Sequence, residues 1–190
     1  VAEAENADKP KVAGIVEDAW GLYGKTPEKY DEAQNGMVPQ YIDNMQSKGI
    51  KPYDLVSLHP YPLLTEPFET SIKSNAFVQD MKELLENEAY GENDNYSAPF
   101  IFTEIGWDNQ DGVTDEQQAA WLVRANAYIQ KNDMAEVVCN YHMMDYTRNN
   151  NVCEMGLVNN SSSSNDFGVA YLGKESYTAM AYYNGLMSKV

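Results

Sequence analysis

Short runs of β-forming residues alternate with amphipathic helical stretches along this chain, and that alternation limits its fold more than any other feature. Strands separated by helices cannot close as hairpins, so they must lie parallel, with the helices crossing over the sheet between them. The first apolar run is KVAGIV at 11–16, the second YDLVSL at 53–58, the third PFIFT at 99–103 and the fourth EVVCNY at 136–141. A helix of about ten residues is expected around 38–48, stopped by Gly49. Another carries Phe77, Met81, Leu84 and Leu85, the i, i+4, i+7, i+8 stripe that packs on a sheet. Thr114-Asp-Glu-Gln117 is a capping box and predicts a helix over 115–131 with Trp121, Leu122, Ala125 and Tyr128 on one face. A last helix is expected over 176–187. The Asn- and Ser-rich stretch 149–165 is expected to be a surface loop, and residues 1–11 to be the tail of a helix preceding the first strand.

Composition narrows the function classes. A chain of 190 residues suits one domain, residues 1–190. Its formal charge of −16 would repel phosphate backbones and anionic lipid surfaces, which argues against nucleic-acid and membrane partners. No apolar run approaches the roughly 18 residues of a membrane span. Fourteen Tyr and three Trp offer faces on which sugars stack, although such residues also fill cores. Cys139 and Cys153 form no disulfide framework, and Cys139, inside an apolar run, is expected to be a buried thiol. The start at Val1, without an initiator Met, suits a mature product or a piece of a longer chain.

The chemistry-bearing residues fall at strand ends. Parallel sheets gather function at the carboxyl ends of their strands, where loops vary freely. The second run leads into His59-Pro60-Tyr61-Pro62, the third into Glu104-Ile105-Gly106-Trp107 and the fourth into Tyr141-His142-Met143-Met144-Asp145. The two histidines of the chain stand at two of these ends. Glu104 is the candidate catalytic carboxylate; its alternative is a strand-terminating acid that caps or pairs. His59 and His142 could position a sugar hydroxyl or serve as hydrogen-bonded structural residues. Tyr61 and Tyr141 could donate to a carboxylate or line a core. Trp107 and Trp20 are candidate stacking platforms, whereas Trp121 belongs to the core. Asp145 could order the last loop or touch substrate, and Glu17 is a conceivable second carboxylate. There is no GxSxG, GxGxxG, Walker or HExxH motif, and no Cys or His spacing suited to a transition metal, so neither cofactor nor metal is expected.

With these residues in place, the chain resembles the C-terminal half of clan A glycoside hydrolases, retaining β-glycosidases on a TIM barrel, and most closely the family thirty-nine β-xylosidases and endoglycosidases. The resemblance rests on YDLVSLHPYP at 53–62, FIFTEIGW at 100–107 with the helix TDEQQAAWLVRANAY, and FGVAYLGKESY at 167–177. It implies an α/β fold, a partial (β/α)8 TIM barrel comprising about strands five to eight with their helices. It further implies Glu104 as nucleophile, His59 and Tyr61 lining the subsite beside it, and Tyr141 near the strand-eight position. The family presents a Trp at that position, where the nearest register here gives Asn140. The family's acid/base Glu lies in an Asn-Glu pair ending strand four. None of the four apolar runs ends in that pair, and at Asn6 the order is reversed, with Glu5 before it and both in the expected helix tail.

The resemblance therefore implies a glycosidase acting on a β-linked oligo- or polysaccharide, secreted or at the surface of a bacterial cell. The chain alone is expected to be inactive until the N-terminal half of the barrel, or a second copy of the chain, covers its sheet edges. Two alternatives stand beside it. One is a non-catalytic degenerate barrel that grips a glycan or a protein. The other is an unrelated flavodoxin-like module with an open sheet and Glu104 as a cap.

Overall fold

The computed structural model describes residues 13–18, 44, 47–48, 54–62, 66–87, 99–148, 151–159 and 173–189. Four parallel strands form one sheet: β1 (Ala13–Asp18), β2 (Leu55–His59), β3 (Phe100–Ile105) and β4 (Val137–Asn140), side by side in chain order. Helix α1 (Ile72–Asn87) crosses from β2 to β3, and α2 (Asp115–Lys131) from β3 to β4. After β4 come a small antiparallel hairpin of β5 (Tyr146–Arg148) and β6 (Asn151–Cys153), then α3 (Glu175–Met187), which packs on α2. Sequential strand order is what a barrel wall requires. The open doubly wound order, which reverses direction part-way, is not observed among the described strands.

Local chemistry explains where the elements start. The Thr114 hydroxyl accepts from the Gln117 backbone N–H, and the Gln117 side chain accepts from the Thr114 backbone N–H, so the capping box opens α2 at Asp115. Phe77 and Met81 on α1, and Leu122, Ala125 and Ile129 on α2, pack on Val56, Leu58, Phe100, Phe102 and Ile105. All of these belong to one core on one face of the sheet. Trp121 joins that core, as expected.

The other face differs. Alternation along the strands turns Leu55, Ser57 and His59, then Ile101 and Thr103, then Val137 and Cys139 away from the helices. Parallel sheets are ordinarily covered on both faces. Here Val137 is 50% exposed and Cys139 is exposed. The expected burial of Cys139 is thus corrected: it lies in an apolar run, but on the face that the helices leave bare. Both cysteines are free thiols.

Several expectations shift. Within the loop expected over 149–165, Asn151–Cys153 form a strand, β6, because they pair antiparallel with Tyr146–Arg148. The helix expected over 38–48 lies mostly outside the described residues, although Asn44 and Ser47 are helical. Residues 1–11, Trp20 and the side chain of Glu17 also lie outside them.

Candidate functional site at the strand ends

A single irregularity in β3 builds the site. Phe102 pairs with Val138 and Ile105 with Asn140, so three steps along β3 match two along β4. This two-against-one register shift has the pattern of a β-bulge, rare in a parallel pair, which re-aims side chains and is common beside active sites. Strict alternation would place Thr103 and Glu104 on opposite faces. With one extra residue, both bond to residues of the bare face, and Ile105 returns to the core.

The consequence is a cluster at the carboxyl ends of β2, β3 and β4. The Tyr61 phenol donates to Glu104 Oε2 at 2.9 Å, and His59 Nδ1 lies 3.5 Å from the same oxygen. His59 Nε2 stands 3.0 Å from Thr103 Oγ1, which is 2.6 Å from Ser57 Oγ. The His59 and Tyr61 rings meet edge to face. Burial, the hydrogen bond to Glu104 and that carboxylate's charge together push the Tyr61 phenol far above the ordinary tyrosine range. Glu104, His59 and Tyr61 therefore form one contacting cluster.

The wall beside them comes from β4 and the hairpin. The Tyr141 N–H donates to the Ile105 carbonyl at 2.7 Å, which brings Tyr141 to the mouth, while Asn140 turns to the helix layer and accepts from Asn126. The Tyr141 hydroxyl is 3.4 Å from that of Tyr146. This contact, with some burial and the charges around it, Glu104 included, pushes the Tyr141 phenol up to about 12. His142 sits between the Tyr141 and Tyr146 rings, with Nε2 3.5 Å from Cys153 Sγ. Burial holds the His142 imidazole below its usual range, and burial raises the Cys153 thiol.

Gly106 lets the two strand ends meet. A Cβ there would lie 2.2 Å from the Tyr141 carbonyl oxygen. The loop behind Tyr141 is fixed by a buried ion pair. Lys174 Nζ lies 3.5 Å from each Asp145 carboxylate oxygen and donates to the Glu154 carbonyl at 2.8 Å. Asp145 Oδ1 also accepts the Gly156 N–H at 2.7 Å. Asp145 therefore orders the last loop.

Trp107 is corrected. It is 2% exposed, packs edge to face on Trp121 and donates its indole N–H to the Glu66 carbonyl, so it offers no face to a sugar. Its position two residues beyond the bulge turns it inward. Sequence reasoning missed Thr103, Ser57, Cys153, Tyr146 and Lys174. Only a period-2 break at Thr103-Glu104 could have flagged the first, and a strand sequence does not reveal a bulge. Among the described residues no group of three or more His, Cys, Asp or Glu is placed to hold a metal ion. A groove of about 920 Å³ between α1 and the far end of α2, reaching the starts of β3 and β4, contains none of the clustered residues. Its lining includes Glu69, Lys82, Asp133 and Glu136 but no histidine or cysteine and none of the candidate site residues, so the strand-end cluster is the better candidate.

No family model matches this chain, and neither does any curated protein. Among solved structures it is similar to a family 39 glycoside hydrolase from the gut symbiont Bacteroides cellulosilyticus WH2, with a TM-score of 0.54 and 21% identity over 80% of this chain. It spans 30% of that protein's length. A β-glucuronidase from Ruminococcus gnavus (TM-score 0.47, 15% identity, 75% of this chain, 25% of that one) and a GH2 β-galacturonidase from Eisenbergiella tayi (0.47, 18%, 70%, 24%) are more distant. The first likeness shows the fold: an α/β parallel sheet with helices, consistent with part of a glycosidase TIM barrel.

Proposed function

We propose that this chain is the C-terminal half of a (β/α)8 barrel and carries the nucleophile, Glu104, of a retaining β-glycosidase acting on a β-linked carbohydrate. The observation that carries the reading is the bulge in β3, which puts the Glu104 carboxylate at the sheet mouth with a phenol and an imidazole on one oxygen. The phenol and the imidazole both lie against Oε2, so in this reading the attack falls to Oε1. Such an attack on the anomeric carbon breaks the glycosidic bond and forms a glycosyl ester, while a general acid protonates the departing oxygen. Water then cleaves the ester with the same group acting as base, and configuration is retained.

The acid/base carboxyl must stand about 5–5.5 Å from the nucleophile. The bare face of Val137 and Cys139 and the outer edges of β1 and β4 suit closure by four further parallel strands, which would also bring that carboxyl. The family 39 likeness supports this reading at the level of fold. The test is trapping in the complete protein with an activated 2-deoxy-2-fluoro-β-glycoside, followed by peptide mass analysis. The label is expected on the peptide containing Glu104 and is expected to vanish in Glu104→Gln. Hydrolysis that survives Glu104→Ala would end the assignment. Glycan binding with no turnover in the complete protein would instead favour a non-catalytic barrel.

A further inference from the structure

Four groups in a line connect the sheet interior to Glu104: Ser57 Oγ, Thr103 Oγ1, the two nitrogens of His59, and Glu104 Oε2, at 2.6, 3.0 and 3.5 Å. Counting their hydrogens fixes the direction of the line. A neutral imidazole carries one N–H, and each hydroxyl can donate once. If His59 held its hydrogen on Nε2, the Nδ1 lone pair would face a carboxylate oxygen at 3.5 Å, an electrostatically unfavourable arrangement in a part-buried site. With the hydrogen on Nδ1, the ring points its positive end at Glu104. The Nε2 lone pair then needs a donor, which the Thr103 hydroxyl supplies. Thr103 in turn accepts from Ser57, itself buried.

We infer that Thr103, oriented by Ser57, is a positioning residue that holds His59 as the Nδ1–H tautomer and so turns the imidazole N–H toward Glu104 Oε2. The bulge gives Thr103 this role, since it lets adjacent residues serve the imidazole and the carboxylate. Only the consequence for catalysis, that Oε1 is left to react, rests on the proposed glycosidase function.

The tautomer can be read directly by ¹⁵N NMR of the full chain labelled at histidine, at a pH above the ordinary imidazole range. With two histidines in the sequence, His142 serves as the internal reference. In the unmodified chain His59 is expected to show a protonated Nδ1 and a bare Nε2. Thr103→Val should lower the Nδ1–H to Nε2–H ratio roughly tenfold, the scale of one lost hydrogen bond. Thr103→Ser should restore it, and His142 should not move. Should Thr103→Val fold poorly with the Ser57 hydroxyl unpaired, Ser57→Ala combined with Thr103→Val removes both hydroxyls and is expected to show the same change. A bare Nδ1 in the unmodified chain, or a ratio that neither variant alters, would overturn the inference. These spectra require no turnover, so their failure is distinct from failed trapping at Glu104.

Discussion

Replacing Lys174 by Met is the perturbation whose cost follows most directly from the structure. The Lys174 side chain is 1% exposed and its ammonium serves Asp145, the Glu154 carbonyl and, at 3.8 Å, Asp115. Methionine keeps much of the volume and removes the charge. Asp145, 8% exposed at its side chain, then retains only the Gly156 N–H among the described donors. Breaking a buried ion pair on one side costs about 3–5 kcal/mol because the orphaned charge stays desolvated. A domain of this size has about 5–15 kcal/mol of stability in total and loses about 2–4 °C of Tm per kcal/mol, so Tm should fall by about 6–20 °C. Circular dichroism melting measures this. The diagnostic comparison is Lys174→Met with Asp145→Asn, which neutralises both partners and leaves an oxygen for Gly156. The double variant should recover at least half of the loss. A single variant that melts within about 2 °C of the parent, or a double variant as unstable as the sum of its singles, would refute the account of this pair as mutually dependent buried charges.

Two further outcomes are expected. In Gly106→Ala the new Cβ must move by about 1 Å to clear the Tyr141 carbonyl oxygen, parting the ends of β3 and β4 at a cost of about 1–3 kcal/mol; an unchanged urea midpoint would contradict the close approach. Tyr61 has a folded-state pKa raised above its unfolded value, so its contribution to stability is present below about pH 10 and lost as pH climbs through the higher folded value. In an ultraviolet alkaline titration, Tyr61→Phe should remove a phenol that ionises after the ordinary ones. Loss of a phenol titrating near pH 10 would show that Glu104 and burial do not act on Tyr61 as described.

How much of the site was legible differs residue by residue. Glu104, His59, Tyr61 and Tyr141 could be named because each follows an apolar run, and the carboxyl end of a parallel strand is where function gathers. The contacts among them could not. Period-2 alternation assigns Thr103 and Glu104 to opposite faces, and the bulge that unites them depends on β4, which begins more than thirty residues later. Trp107 looked like a platform because it follows the strand; the Trp121 ring and the Glu66 carbonyl, distant in sequence, decided its burial. Cys139 was misplaced for a related reason: an apolar run does not reveal which face of a sheet its neighbours cover.

What the sequence determined by itself was local. Helix α2 starts where Thr114 and Gln117 exchange hydrogen bonds, and helix periodicity marked the face of Trp121 and Leu122, since these signals act within one or two turns. The parallel order of strands also followed, because helices between them leave no other connection. The tertiary structure alone decided register, the bulge, the burial of Trp107 and the pairing of Lys174 with Asp145. Each of these is a contact between segments far apart along the chain, and its energy depends on packing and desolvation that no single segment possesses.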